Sequence, residues 1–327
     1  MTAAPSASPR ATVARLGLGL AALGRPAYHT LDHGRDVGDD WTPPRLEARA
    51  HAVLDAALAA GVRTVDAARS YGRAEEFVRD WLVARGLAPG AVEVGSKWGY
   101  RYVGEWRLDA PVHEVKDHSL AALRAQAAET RARLGPWLLR YQIHSATADG
   151  PVLRDAAVLD ELARLRDGGW RIGVTVSGPG QADAVARALE VERGGAPLFD
   201  SIQATWNVLE RACEARLAEA HAAGRLVLVK EPLANGRLTA RGDACAAGPL
   251  AGIAAAHGVA PDAVALAAAL ARPWAGRVLL GPATVEQLRS NLRALEVALA
   301  PGELAALDGL VEPAGAYWER RAGLRWT

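Results

Sequence analysis

The chain has 327 residues, half of them hydrophobic and 23% charged, a composition that can bury a large core and excludes a disordered or fibrous protein. Its 38 basic and 37 acidic residues leave a formal net charge of +1, with no long run of one sign, which excludes the electrostatic footprint of a nucleic-acid binder and points to a small neutral partner. Two cysteines, Cys213 and Cys245, are too few for a disulfide framework and too far apart for a CxxC metal or redox pair, so a cytoplasmic protein is expected.

Residues 1–12 have no periodic pattern and are expected to form a flexible N-terminal segment, leaving 13–327 as one folded domain. The apolar run from Leu16 to Gly24 follows Arg10 and Arg15 as a signal peptide would, but glycines break it and Arg25 follows directly. No apolar run reaches the ~20 residues a bilayer span requires, so no membrane association is expected.

Along the chain, short apolar runs predict strands over 15–20, 63–66, 92–96, 139–143, 171–175, 201–204, 226–229 and 278–280. Between them, alanine- and leucine-rich stretches with helical apolar spacing predict helices over 46–60, 75–85, 120–134, 158–167, 181–189, 210–223, 261–271 and 284–299. Residues 1–12, 25–44 and 98–118 resist this reading. Eight alternating pairs argue for an α/β protein with a single (β/α)8 TIM barrel. A doubly wound sheet is the competing architecture, and Gly17-Leu18-Gly19 invites it. The third glycine of that fingerprint is absent, Ala22 taking its place, and Arg25-Pro26 follows where a helix should begin.

In a barrel the active site lies at the C-terminal strand ends. Strand two ends at Asp66 and runs into Tyr71 within DAARSYG, strand three ends at Lys97 within GSKWG, and strand four ends at His144 within YQIHS. These types fit one task. A free tyrosine is a poor acid near neutrality, but an adjacent ammonium from Lys97 would stabilise the phenolate and lower that pKa. Asp66 would hold Lys97, and His144 would hydrogen-bond a carbonyl oxygen as negative charge develops. Arginine is the chain's default cation, since lysine occurs only at 97, 116 and 230. Two of the three lysines thus fall at strand ends, where a compact ammonium has a use arginine cannot serve. His113 and His118 in HEVKDH are five residues apart, which does not place both on one helix face. A surface loop is expected there, and no metal is assigned.

GVRTVDAARSYG, GSKWG and YQIHS resemble, in order and spacing, the motifs of the aldo-keto reductase family, and the likeness runs from about residue 15 to 299. It implies a catalytic tetrad of Asp66, Tyr71, Lys97 and His144, bound NADP(H) in preference to NAD(H), and a small carbonyl, alcohol or sugar substrate. RIGVTVSGP is similar to the family's carboxamide-binding segment, with Thr175 and Val176 at positions where serine and asparagine are usual, and Gln203 matches the other carboxamide contact. Gly19, Leu20 and Asp66 would join the cofactor site. EPLANGRL resembles the pyrophosphate loop, whose backbone amides from Leu233 through Asn235 and Gly236 to Leu238 would reach the phosphates. GPATVEQLRSN resembles the adenosine-phosphate segment and implicates Gly281, Thr284, Gln287 and Asn291, with Arg289 as the nearby cation. Lys230 stands where the family usually stacks an aromatic ring on the nicotinamide. GLGLAALG resembles branches that oxidise sugars to lactones. Trp98, Tyr100, Tyr102, Trp106 and Trp206 are candidates for the substrate pocket, and the tail with Trp318 and Trp326 either folds over the mouth or lies outside.

Two other functions compete. Strand-end lysines in a barrel also serve Schiff-base aldolases, through Lys97 or Lys230. A non-catalytic cofactor-binding barrel would explain Lys230 and Val176. The oligomeric state stays open.

Overall fold

Eight short strands, each buried on both faces, close into a parallel barrel in the computed structural model, which describes residues 12–245 and 248–327. The strands are β1 (Leu16–Gly19), β2 (Thr64–Asp66), β3 (Glu93–Trp98), β4 (Leu138–Ala146), β5 (Arg171–Val176), β6 (Ser201–Thr205), β7 (Leu226–Lys230) and β8 (Arg277–Leu280). β1 pairs with both β2 and β8, which closes the ring. Side chains facing the barrel interior and those facing the outer helices are both removed from water, so the strands read as continuous rather than alternating apolar runs. All eight sequence-predicted strands are present. The expected flexible segment falls, Thr12 excepted, outside the described residues.

Most helices turn one stripe inward, the exception being Pro261–Leu270, which is buried at every position from Asp262 to Leu270. In Ala74–Ala84, Phe77, Val78, Trp81 and Leu82 are buried, the i, i+1, i+4, i+5 spacing of a single face. Side-chain caps set several starts: Ser119 accepts from Ala122 N–H, and Asp155 from Ala157 and Val158. The helix expected over 210–223 begins only at Glu214, because Asn207 Oδ1 accepts from the N–H groups of Leu209 and Glu210 and turns the chain there. The helix expected to run to 299 stops at Leu292 and tightens into a 3₁₀ turn over Arg293–Glu296.

Two of the stretches that resisted the pattern, 25–44 and 98–118, build a cap over the C-terminal ends of the strands. Within 25–44 lies a short helix, His33–Val37. Within 98–118 an antiparallel hairpin pairs Tyr100–Tyr102 with Glu114–Lys116. The tail folds over the mouth through helix Ala314–Ala322, and Tyr28 and Thr327 exchange backbone hydrogen bonds. Among the described residues no single helix is long and apolar enough to cross a membrane.

Candidate active site

Strand register aligns Asp66 with Gly95, two residues before Lys97, so the two side chains meet inside the mouth. Lys97 Nζ donates to Asp66 Oδ2 (2.5 Å), to the Ala67 carbonyl (2.9 Å) and to Tyr71 Oη (3.3 Å), which engages all three of its hydrogens. The other Asp66 oxygen accepts from Gln142 Nε2 (3.1 Å) and Gln203 Nε2 (3.4 Å). One carboxylate thus ties together β2, β3, β4 and β6. Gln142 escaped the sequence reading because a buried glutamine within YQIHS carries no chemical signal of its own.

Tyr71 lies on the loop after β2, and two glycines fix it. Gly72 has φ +58°, and a Cβ there would sit 2.4 Å from the Gly24 carbonyl. A Cβ on Gly24 would in turn strike the Tyr71 carbonyl at 2.2 Å. This close approach lets Arg73 N–H donate to the Gly24 oxygen. The expected lowering of the Tyr71 pKa is reversed. Burial raises it well above the ordinary phenol value, and the Asp66 and Glu114 carboxylates add to the rise against the opposing effect of Arg25. Tyr71 is therefore a neutral phenol that keeps its proton.

His144 owes its position to a register break between β4 and β5, at Ile143 and Ala146. Ser145 there has φ +53°, and its N–H turns to donate to Thr175 Oγ1 at 2.7 Å. The imidazole meets Tyr71 edge-on at 5.5 Å and Tyr100 at 5.0 Å, with Nδ1 3.5 Å from Ser70 Oγ. Burial pushes its pKa well down, helped by Lys97 and Lys230, so the ring is neutral. His118 was expected on a surface loop. Its Nε2 instead donates to the His144 carbonyl at 2.8 Å, while buried His113 stacks on Trp326 at 4.4 Å.

A cavity of about 530 Å³ opens above these groups and runs to the far end of β8. Asp66, Tyr71 and His144 line its reacting end, with Lys97 just beneath. Gly19, Gln203, Lys230, Leu233, Asn235, Gly236, Gly281, Gln287 and Asn291 also line it. Leu20, Thr175, Leu238 and Thr284 do not: Thr175 is spent on Ser145, Thr284 caps helix Val285–Leu292 by accepting from Gln287 N–H, and Leu20 and Leu238 are core. Ser177 reaches the lining in place of Thr175. Most amides of the EPLANGRL loop are engaged within it, those of Ala234, Gly236, Arg237 and Leu238 donating to the carbonyls of Glu231, Leu233 and Ala234. Arg289 is 73% exposed beside Glu286 and away from the cavity. Arg241, paired with Asp36 at 2.8 Å, is the cation at that end.

The aromatic candidates divide sharply. Tyr100 lines the cavity. Trp98 and Trp206 are fully buried core residues, Trp206 donating to Glu214 and packing on Trp274. Trp106 Nε1 donates to the Trp41 carbonyl, outside the lining. The cap supplies the missing wall, with Arg25, Tyr28, Arg321 and Trp326. Arg25 donates to Glu114 and lies over the rings of Tyr71 (5.2 Å) and Trp326 (4.7 Å). The tail's position depends on those long-range contacts, which local sequence pattern does not encode.

A sequence model described as the aldo/keto reductase family matches residues 16–312. Protein tas of Escherichia coli K12 is 25% identical over 314 residues, covering 81% of this chain and 89% of that protein. Among solved structures, the holo form of the aldo-keto reductase AKR11C1 from Bacillus halodurans overlays with a TM-score of 0.68 at 21% identity, covering 92% of this chain and 93% of that one. An aldo-keto reductase from Klebsiella pneumoniae in complex with NADPH gives 0.64 at 22% identity, covering 90% of each chain.

Proposed function

The chain belongs to the aldo/keto reductase family, and on that premise we propose that it is an NADP(H)-dependent oxidoreductase that reduces an aldehyde or ketone, with Tyr71 as the proton donor. The observation that carries this reading is the Lys97 ammonium, held by Asp66 and donating to Tyr71 Oη.

The residues present suit a dinucleotide. The cavity has the volume of a ligand site. Gln203 and Ser177 offer polar groups near the reacting end, a Cβ on Gly281 would meet nothing within 4 Å, and Arg241 with Ser290 supplies donors for a phosphate at the far end. NADPH in the Klebsiella relative agrees with that donor set. The cofactor supplies the hydride. Tyr71 Oη donates its proton to the carbonyl oxygen as the carbon is reduced, giving the alcohol. Neutral His144 offers a second donor to the same oxygen. Lys97 stabilises the phenolate left on Tyr71, which regains its proton from solvent, while Asp66, Gln142 and Gln203 keep the ammonium aimed. The three hydrogen bonds that Lys97 donates weigh against its use as a Schiff-base nucleophile, and Lys230 is the other amine that reading would use.

The test is loss of NADPH absorbance with a panel of aldehydes and ketones. Tyr71→Phe should lower kcat by about 10²–10⁴ while tryptophan fluorescence still reports NADPH binding. Turnover without cofactor, or an unimpaired Tyr71→Phe enzyme, overturns the proposal.

A further inference from the structure

Around the reacting end the cavity is lined by three cations, Arg25, Lys230 and Arg321, and by two carboxylates beyond Asp66, Glu114 and Glu231. Both carboxylates are committed. Glu114 accepts from Arg25 Nη1 at 2.6 Å. Glu231 accepts from Arg321 Nε and Nη2 and from Thr205 Oγ1 at 3.1 Å. Asp66, below, is taken by Lys97. The histidines add no charge: burial depresses His144, and burial with Arg321 pushes His29 down to about 3. One positive charge is left over, and it sits on Lys230.

That ammonium makes no hydrogen bond to a described residue: its ion pair with Glu231 spans 4.0 Å, and it lies 5.9 Å from the centre of the Trp318 ring. Its side chain is 15% exposed and borders the cavity, within electrostatic reach of His144. A buried ammonium with a ring and a distant carboxylate but no hydrogen-bond acceptor relies on water, and a substrate that expels that water raises its cost unless the substrate brings a negative charge. The small overall charge of the chain is no guide here, because the imbalance is local.

We propose that Lys230 binds the carboxylate of the substrate, so that the preferred substrates are oxo acids, aldehydes or ketones bearing a carboxylate. The inference rests on the reductase reading above. Oxo acids and the phosphates of the cofactor share the chemistry that would satisfy the ammonium, and the experiment separates them.

The measurement compares para-formylbenzoate with para-tolualdehyde, similar in size and differing in charge, for the wild type, Lys230→Met and Lys230→Arg. The wild type should favour the acid by at least about tenfold in kcat/KM, Lys230→Met should lose that preference through KM, and Lys230→Arg should retain it. Equal preference in wild type and Lys230→Met overturns the proposal. So does a Lys230→Met enzyme that binds NADPH more weakly while keeping its substrate ratio, which would assign the cation to the cofactor. Borohydride trapping of a carbonyl compound on Lys230 would make it a nucleophile and likewise overturn the assignment. If neither aldehyde turns over, the wider panel of aldehydes and ketones judges the reductase reading. Fluorescence titration of both aldehydes, with the ten tryptophans as reporters, then still decides whether Lys230 selects the acid.

Discussion

At the floor of the cavity Lys97 has every hydrogen engaged by a named acceptor, whereas on the wall Lys230 has only an ion pair at 4.0 Å and the Trp318 ring at 5.9 Å among the described residues. The floor is closed: charges there are matched within the protein and held for one geometry. The wall and the cap above it are open, with a surplus cation and several bases kept neutral by burial. The difference teaches where the fold spends order on chemistry and where it leaves room for a ligand to complete it.

The acid limb of stability should separate the two regions most. Burial holds His29 at about 3 and His33 and His118 at about 4. These lie below the usual histidine value, so below pH 6.5 the unfolded chain binds more protons than the native one. Stability is therefore complete above pH 6.5 and falls as pH drops toward 4, by up to about 1.4 kcal/mol per pH unit for each histidine. Urea unfolding at stepped pH checks this, and a flat profile from pH 6.5 to 4 would show that the cap opens independently of the barrel.

Lys97→Met strikes the floor directly. Leaving Asp66 buried without its ammonium should cost roughly 3–5 kcal/mol and abolish turnover, read by urea unfolding at neutral pH. A loss under about 1 kcal/mol would mean the floor is not closed. Lys230→Met should behave differently, since Arg321 still holds Glu231. Burial lowers Lys230 to about 8, so between pH 8 and 10.5 the unfolded chain binds the extra proton and wild-type stability rises relative to Lys230→Met, by up to about 1.4 kcal/mol per pH unit. Parallel profiles for the two proteins would remove the surplus charge from the wall. The smallest effect is expected at the roof: Trp326→Ala loses the His113 stack and the Arg25 contact, about 1 kcal/mol, and should raise KM more than it lowers kcat.

The barrel was legible because strands buried on both faces leave uninterrupted apolar runs, and helices with one buried stripe leave a different period. The residues that meet at the floor were legible for another reason: Asp66, Tyr71, Lys97 and His144 each stand near a strand end, and barrel topology brings strand ends together. The bulge that aims His144 was not visible, because Ser145 at φ +53° has no marker in YQIHS. Trp98 and Trp206 misled because large rings serve cores and pockets equally well. The Tyr71 pKa was read from its neighbour Lys97 alone, but burial, which depends on the whole cap, outweighs that one charge. Arg241 was passed over for Arg289 because nearness to the matched segment GPATVEQLRSN, not cavity access, guided the choice.

Asp66, Lys97, Gln142 and Gln203 are joined by hydrogen bonds that span 31, 76 and 137 residues of chain from Asp66. Local helices can form long before such distant partners meet, since closing large loops is the slow part of folding. The floor is thus a contact that exists only once the ring of strands is shut. During refolding from denaturant, regained activity should lag behind regained helicity, and the enzyme's own chemistry becomes the clock for barrel closure.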